Sequence, residues 1–228
     1  MQIHIIGTSH IAKDSIEEIK NAITTYQPDI VAVELDTERA NALFSKEKPK
    51  IGFSAIGKVG LQGFIFAKLG QNMQQKLGKW VGVEPGSEMK TAIELAKKNN
   101  LEVTLIDQPI NITLKNFSKA FTWREKFRFL GEVAASLITP KRQAKKTGIN
   151  FDVSKVPEKE LIIKLMQHMQ EQYPSLYKAI VEDRNKYMVK KIIQIMREKQ
   201  DKKILVIVGA GHVQGMQELL LKVDIVKQ

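Results

Sequence analysis

Two histidines of this 228-residue chain occupy the same short motif. The stretch "IIGTSH" ends at His10 and "IVGAGH" ends at His212, although the whole chain has only four histidines. Each motif is an apolar run closed by Gly-x-x-His. Imidazole nitrogens bind divalent metal ions and exchange protons near neutral pH. The repeated motif therefore makes His10 and His212 candidate metal ligands. Glycines are expected to permit the tight turns after the apolar runs, and they are Gly7, Gly209 and Gly211.

Two carboxylates stand at the ends of two further apolar runs. Glu34 lies in "VELD" and Asp107 lies in "LIDQ". Taken alone, such a residue can simply cap a turn. Together with two histidines, however, the carboxylates could hold a divalent ion, and we predict His10, His212, Glu34 and Asp107 as its ligands. Glu34 is also a candidate general base, and the residue types do not separate this role from metal binding.

Two arginines fall on the apolar faces of predicted helices. Arg184 lies about 40° from Ile180 around the helix predicted over 173–200, within an apolar stripe. Arg39 shares a face with Ala42 in "LDTERANALF". Because a buried arginine needs a carboxylate or a ligand, both are candidate catalytic residues that would bind a substrate carboxylate or an oxyanion. An internal ion pair is the alternative explanation for Arg184.

The elements that position these residues are predicted by four short apolar runs. They are rich in β-branched residues, lack strict alternation, and cover 3–7, 29–35, 101–107 and 203–209. Segments of helical periodicity separate them, which is typical of an α/β fold with a mainly parallel central sheet flanked by helices. Sites in such sheets form beyond the carboxyl ends of the strands, where all four polar residues are expected to meet.

Composition limits the class of protein. With 43% hydrophobic and 27% charged residues, and with no stretch resembling a signal peptide or membrane span, the chain is expected to be a soluble domain, cytoplasmic or at a membrane. There is no cysteine, so a thiolate metal site is excluded. The net charge of +11 comes mostly from dispersed lysines, and we do not expect nucleic acid to be the partner.

The stretch 46–86 differs from the rest of the chain. It contains eight of the fourteen glycines, and 46–83 has seven lysines against one glutamate. Glycine at this density weakens helices. We predict a helical insertion within a single domain of residues 1–228, and we favour a role in forming a homodimer or a lid. An ordinary helical hairpin and a basic membrane-contacting surface are alternatives.

Six ordered motifs resemble those of the TraB/PrgY pheromone-shutdown family. They are "GTSH", "VAVELDTER", "PGSEMKTAI", "LIDQPINITL", "EDRNKYM" and "IVGAGHVQGM". The family's wider relatives include the Tiki Wnt-cleaving proteins and, more remotely, erythromycin esterase and the haem-binding ChaN proteins. One departure is Gln108, where the family pattern would place an arginine after Asp107. The resemblance implies an erythromycin esterase/ChaN-like fold. It also implies that membrane association would come through segments absent from this chain.

The resemblance also implies a metal-dependent peptidase that acts on a peptide signal. The motif residues of the family fall on Gly7, His10, Glu34, Arg39, Arg184, Gly209 and His212. We predict that a divalent ion activates water for attack on a peptide carbonyl, and the ligand types do not choose among Mn, Co, Fe and Zn. The alternative is a module that sequesters a peptide or an anionic ligand without cleaving it. Haem binding through His10 or His212 rests only on the remote relatives.

Overall fold

The computed structural model describes residues 2–8, 13–45, 86–138 and 158–226, together with the single residues Gly57 and Phe64. The predicted α/β class is confirmed: the described strands form a parallel sheet with helices on both of its faces. His10 and almost all of the predicted insertion at 46–86 lie outside the described residues.

At least one helix separates each described strand from the next along the chain. The strands are β1 (Gln2–Thr8), β2 (Ile30–Val33), β3 (Glu102–Leu105) and β4 (Lys203–Gly209). The helices are α1 (Lys13–Tyr26), α2 (Thr37–Phe44), α3 (Ser87–Lys98), α4 (Ile110–Ala120), α5 (Trp123–Ile138), α6 (Glu158–Gln172), α7 (Pro174–Tyr177), α8 (Asp183–Glu198) and α9 (Ala210–Val226). Each observed strand coincides with a predicted apolar run, within two residues at its ends.

The strands lie in the order β1-β4-β2-β3, and every neighbouring pair is parallel. The first and last strands of the chain are therefore direct neighbours, with Thr8 opposite Gly209. In the two other pairs, Val33 lies opposite both Ile207 and Leu105. Because all strands run in the same direction, their carboxyl ends meet at one edge of the sheet.

Each face of the sheet carries its own apolar core. Successive residues of β4 alternate between the faces: Leu205 and Ile207 pack towards α1 and α3, whereas Ile204 and Val206 pack towards α8 and α9. The first core includes Ile19, Ile23, Met89, Ala92, Ile93 and Ala96, and the second includes Met188, Val189, Ile192, Ile195 and Met216. Burial on both faces explains why the strands are continuous apolar runs.

The predicted long helix at 173–200 runs from α7 to α8 but is not regular throughout. Residues Lys178–Glu182 form a π-helical turn between α7 and α8, and the backbone stays helical on both sides of it. Such wider turns are rare and occur frequently at functional sites. This one ends immediately before Asp183 and Arg184, so it helps to set the direction in which Arg184 points.

The helices have the lengths of ordinary globular helices. In the ranges given above, the longest is α9 with 17 residues. No helix of the described part combines the length and apolar character that crossing a bilayer requires.

Candidate functional site

Glu34 follows β2 directly and turns its side chain towards the end of β4. Its backbone N–H donates to the carbonyl of Ile207 at 3.0 Å, which continues the strand pairing by one residue. Its Oε2 accepts a hydrogen bond from the Gly209 N–H at 2.6 Å, and its Oε1 accepts one from Nη2 of Arg184. The residue is only 7% exposed. Both carboxylate oxygens of Glu34 therefore have a donor.

Asp107 lies one strand further along the same edge and is also buried. Its Oδ1 accepts from the Gln108 N–H at 2.7 Å and from Nε of Arg184 at 3.0 Å. Its Oδ2 accepts from Nη2 of both Arg39 and Arg184. The Asp107 carboxylate thus accepts hydrogen bonds from two guanidinium groups. These bonds connect α2 and α8 at the end of the sheet.

Arg39 is positioned by the start of its own helix. Asp36 is the N-cap of α2: its Oδ1 accepts from the Arg39 backbone N–H at 2.9 Å, and its Oδ2 accepts from Nε of Arg39 at 2.8 Å. The predicted inward orientation is confirmed, because Nη2 of Arg39 reaches Asp107. The Arg39 side chain remains 33% exposed, so this guanidinium lies at the solvent rim of the cluster.

Arg184 contacts several side chains that lie at the carboxyl ends of the strands. From α8 its guanidinium donates to Glu34 and Asp107, and Nη1 lies 3.1 Å from Nε2 of His212 and 3.1 Å from the carbonyl oxygen of Ile180. Its side chain is 14% exposed. The internal ion pair considered from the sequence is therefore present. Its partners come from β2 and β3, whereas the adjacent Asp183 pairs with Lys178 at 2.6 Å.

His212 stands in the first turn of α9, and both of its ring nitrogens have partners. Nδ1 lies 2.6 Å from Oδ1 of Asn185, and Nε2 faces Arg184 and, at 3.3 Å, Oε1 of Glu34. An amide oxygen can only accept and a guanidinium can only donate. The contacts therefore fit a neutral imidazole that carries its proton on Nδ1 and presents the Nε2 lone pair to the cluster.

Three glycines make room for these contacts. A Cβ on Gly7 would lie 2.6 Å from Cγ2 of Val213, so a larger residue would push α9 away from β1. A Cβ on Gly215 would lie 2.4 Å from Nδ2 of Asn185. At Gly211 the nearest atom is Sδ of Met166 at 3.2 Å, which belongs to a flexible side chain. Gly7 and Gly215 thus fix how closely α9 approaches β1 and α8.

The charges of the cluster stabilise each other. Burial alone would raise the pKa of Glu34, but its contacts with His212, Arg184 and the Gly209 N–H together hold that pKa well below its usual range. Burial opposes the charge on Arg184, yet Glu34 and Asp107 outweigh it and raise the pKa of the guanidinium. Glu34 and Arg184 are therefore an ion pair at neutral pH.

Three of the four predicted metal ligands, Glu34, Asp107 and His212, lie in this cluster. Among the described residues, no group of three or more His, Asp and Glu side chains is arranged to hold a metal ion. The residue types suit a divalent ion, but Glu34, Asp107 and His212 all face the guanidinium of Arg184. The described side chains therefore do not form a metal site in this arrangement. His10, the fourth predicted ligand, lies outside the described residues.

Asn185 was not identified from the sequence, although it belongs to the cluster. It is 4% exposed and contacts His212. A signal was present, because Asn185 lies on the same helical face as Met188 and Ile192, three and seven residues further on. A polar side chain on an apolar face needs a buried partner. Gln108 is likewise buried and donates to Oγ1 of Thr113 at 2.8 Å, so it contributes no charge to the site.

The family model of the TraB/PrgY/gumN family matches residues 1–224. This chain belongs to the TraB/PrgY/gumN family. Membership confirms the resemblance drawn from the six motifs, and it covers nearly the whole chain. Four residues of the motifs in this TraB-family chain, Glu34, Arg39, Arg184 and His212, lie at the carboxyl edge of the sheet.

Relatives of this TraB-family chain occur in archaea and animals. It is 36% identical over 224 residues to a protein of Methanocaldococcus jannaschii named "Uncharacterized protein MJ1365". It is 25% identical over 241 residues to the human TraB domain-containing protein and 24% identical to that of the mouse. The matches cover 97% and 95% of this chain but 54% of the archaeal protein and 62% of the human one. The chain therefore spans a little over half the length of these relatives.

Proposed function

We propose that this chain is a hydrolase that cleaves a peptide at the cluster of Glu34, Asp107, Arg184 and His212. The observation that carries the proposal is the contact of Arg184 with side chains from three strand ends. Family membership supports the location of the site. Reaction centres of α/β proteins form at the carboxyl edge of the parallel sheet, and buried ionisable groups are typical of such centres.

His212 is the proton acceptor in this proposal. Asn185 holds Nδ1, so that Nε2 is the basic nitrogen and faces the cluster. In this arrangement Nε2 takes a proton from the attacking water and returns it to the leaving amine. Glu34 is the weaker candidate, because its lowered pKa makes its carboxylate a poor proton acceptor. Its charge instead stabilises a protonated His212.

The two arginines have complementary roles in the same proposal. Arg184 lies beside Nε2 of His212, and its Nη1 can donate to the oxygen that becomes negative when the carbonyl is attacked. Arg39 is partly exposed at the rim and can bind a carboxylate of the peptide. The predicted divalent ion stays a prediction, because His10 lies outside the described residues and no step above depends on a metal.

A peptide-cleavage assay tests the reaction. The wild-type chain and the His212→Ala variant are incubated with a mixture of peptides, with and without Mn or Co, and fragments are identified by mass spectrometry. Loss of a general base should lower the cleavage rate about 100-fold or more. His4→Ala is a matched control, because His4 is exposed on β1, where its ring centroid lies 5.3 Å from that of Tyr26. Equal cleavage by wild type and His212→Ala would contradict the proposal.

Elemental analysis tests the metal prediction separately. The wild-type chain should retain a divalent ion after purification, and the His10→Ala, His212→Ala double variant should lose it. Equal metal content in the two proteins would show that these histidines bind none. The peptidase proposal as argued from His212 would survive that result.

Sequestration of a peptide or anionic ligand is a second candidate function. It is favoured because the carboxylates of Glu34 and Asp107 are already paired with arginines, whereas the charged side chain of Arg39 stays partly exposed. In the peptide assay, an intact peptide that binds with measurable affinity and loses that affinity in Arg39→Gln would support this function. Fragments would support hydrolysis instead.

A further inference from the structure

The first turns of α5 expose large aromatic side chains to solvent. Trp123 is 71% exposed and Phe127 is 67% exposed, and their ring centroids lie 6.1 Å apart. They are neighbours because residues four apart share one face of a helix. Phe129 is a further 37% exposed. Large apolar side chains that are exposed together usually mark an interaction surface.

Basic residues flank these rings. Arg124 and Arg128 are exposed, and Nζ of Lys126 lies 4.3 Å from the ring centroid of Trp123. At about 100° per residue, Arg124 and Lys126 fall on opposite sides of Trp123. Glu125 is the one acidic residue of 123–131, and it is only 4% exposed. The solvent side of this segment, which we call the aromatic-basic face, therefore combines Trp123, Arg124, Lys126, Phe127, Arg128 and Phe129 without a carboxylate.

The opposite side of the segment is fixed to the protein. Glu125 accepts hydrogen bonds from the Thr122 N–H at 3.0 Å, from the Thr122 hydroxyl at 2.6 Å and from the Ser175 N–H at 2.8 Å. At the edge of the aromatic-basic face, Nη1 of Arg128 also donates to the carbonyl of Gln172 at 2.6 Å. These bonds hold the start of α5 in one orientation. The rings therefore point outwards because the helix is anchored, and rotation of the helix cannot bury them without breaking the contacts of Glu125.

We propose that the aromatic-basic face binds the surface of an anionic lipid bilayer. Aromatic side chains insert at the level of the lipid headgroups, and Lys and Arg are attracted by anionic lipids. The net charge of +11 adds a long-range attraction of the same sign. A second copy of this chain is a poorer partner, because pairing two such faces would bring Arg124 and Arg128 against identical cations. The bilayer supplies the complementary charge and needs no spanning helix.

Vesicle co-sedimentation tests the proposal with the whole chain. Wild type should bind vesicles of phosphatidylcholine mixed with phosphatidylserine, and about tenfold or more weakly vesicles of phosphatidylcholine alone. High salt should weaken the binding, since it screens exposed charges. The Trp80→Phe variant leaves Trp123 as the single tryptophan, and its fluorescence should shift to the blue on addition of the anionic vesicles.

Variants of the face separate this surface from general basicity. Phe127→Ser and Arg124→Glu should each reduce binding to the anionic vesicles about tenfold or more. Leu221→Ser is the matched control, because Leu221 is a 62% exposed apolar residue of a different helix, α9. This variant should bind like wild type. Unchanged urea midpoints would show that the variants remain folded.

Four results would overturn the proposal. The first is no binding of wild type to anionic vesicles at low salt, and the second is an equal effect of Phe127→Ser and Leu221→Ser. The third is self-association of wild type, abolished by Phe127→Ser without any vesicle binding, which would identify a second copy as the partner. Retention on single-stranded nucleic acid in place of vesicles would also contradict a lipid partner, since bases stack on exposed aromatic side chains.

Discussion

Arg184 and His212 come from different helices, and their contacts depend on Asn185. Asn185 is adjacent to Arg184 on α8 and fixes the ring of His212 through Nδ1, while Arg184 contacts Nε2. Two consecutive residues of α8, Arg184 and Asn185, thus contact the two ring nitrogens of His212. Because the tautomer of His212 follows from these two partners, Asn185 is a positioning residue for the proposed base.

Replacing Asn185 should therefore disturb His212 before it disturbs the sheet. In Asn185→Ala the buried Nδ1–H loses its acceptor, which costs about 1–3 kcal/mol of unfolding free energy. Urea unfolding measures this loss, and nitrogen NMR of the imidazole should show a mixture of tautomers in place of the Nδ1-protonated form. Asn21→Ala, at an exposed position of α1, should change stability by no more than about 0.5 kcal/mol. A single unchanged tautomer in Asn185→Ala would refute the role of Asn185.

Glu34 should make stability depend on acid pH. Its pKa in the folded chain is held below the value of about 4.3 expected in the unfolded chain. Its contribution is thus fully present above that unfolded pKa and is lost as pH falls through the folded one. In Glu34→Gln this contribution is missing, and urea midpoints measured from neutral pH downwards should fall less steeply. Glu17→Gln, with a 63% exposed side chain, should follow the wild-type curve.

At the scale of elements, the approach of α9 to β1 determines where His212 lies. Gly7 is in contact with Val213 and Ala210, and Gly215 is in contact with Asn185. The glycine of the first Gly-x-x-His motif therefore acts on the helix that begins at the second motif. The neighbouring positions of β1 and β4 in the sheet explain this contact. The two motifs are related by packing as well as by their likeness in sequence.

Gly7→Ala should consequently move α9 and destabilise the chain. The added Cβ would meet a side-chain atom at 2.6 Å and a backbone atom at 3.0 Å, and relief of such overpacking costs about 1–3 kcal/mol. Gly131→Ala is the control: nothing lies within 4 Å of its Cβ position in α5, and alanine should stabilise the helix by about 0.5–1 kcal/mol. Thermal unfolding of both variants shows whether each substitution raises or lowers the stability of the chain. Stabilisation by Gly7→Ala would contradict the close packing.

At the scale of the whole molecule, β4 is the strand on which both cores depend. Ile204, Leu205, Val206, Ile207 and Val208 are all 0% exposed, and β4 is paired on both sides. The strand β1 is paired in the described sheet on one side only. The sheet therefore has a protected centre and a more accessible edge.

Hydrogen exchange should reveal this gradient. Amides of β4 should open only with global unfolding and exchange slowest, whereas those of β1 should exchange faster through local opening. Mass spectrometry of peptic peptides measures both strands in one experiment. Equal protection of β1 and β4 would show that another partner covers the edge strand. Such a partner could belong to the predicted homodimer, which stays a prediction.

Much of the fold could be predicted because its signals are local. Continuous apolar runs predicted strands buried on both faces, and helical periodicity predicted the helices that separate them. The inward orientation of Arg184 also followed from its position between apolar neighbours. The π turn at Lys178–Glu182 did not, because all residues there were placed by the regular helical repeat. A wider turn leaves no mark in that repeat.

The sequence by itself determined the α/β class, the approximate strands and the residues at their carboxyl ends, because each depends on neighbours within one element. Only the tertiary structure decided the order β1-β4-β2-β3 and the partners of the charged groups. Apolar runs are interchangeable as strands, so their pairing depends on how the connecting helices pack. Likewise, Glu34 and Asp107 are metal ligands predicted from the sequence, and only the packing of α8 shows that the guanidinium of Arg184 lies against both. A buried charge pairs with a group on whichever element packs beside it. For Asp107 that group is Arg184, which is 77 residues away in the sequence.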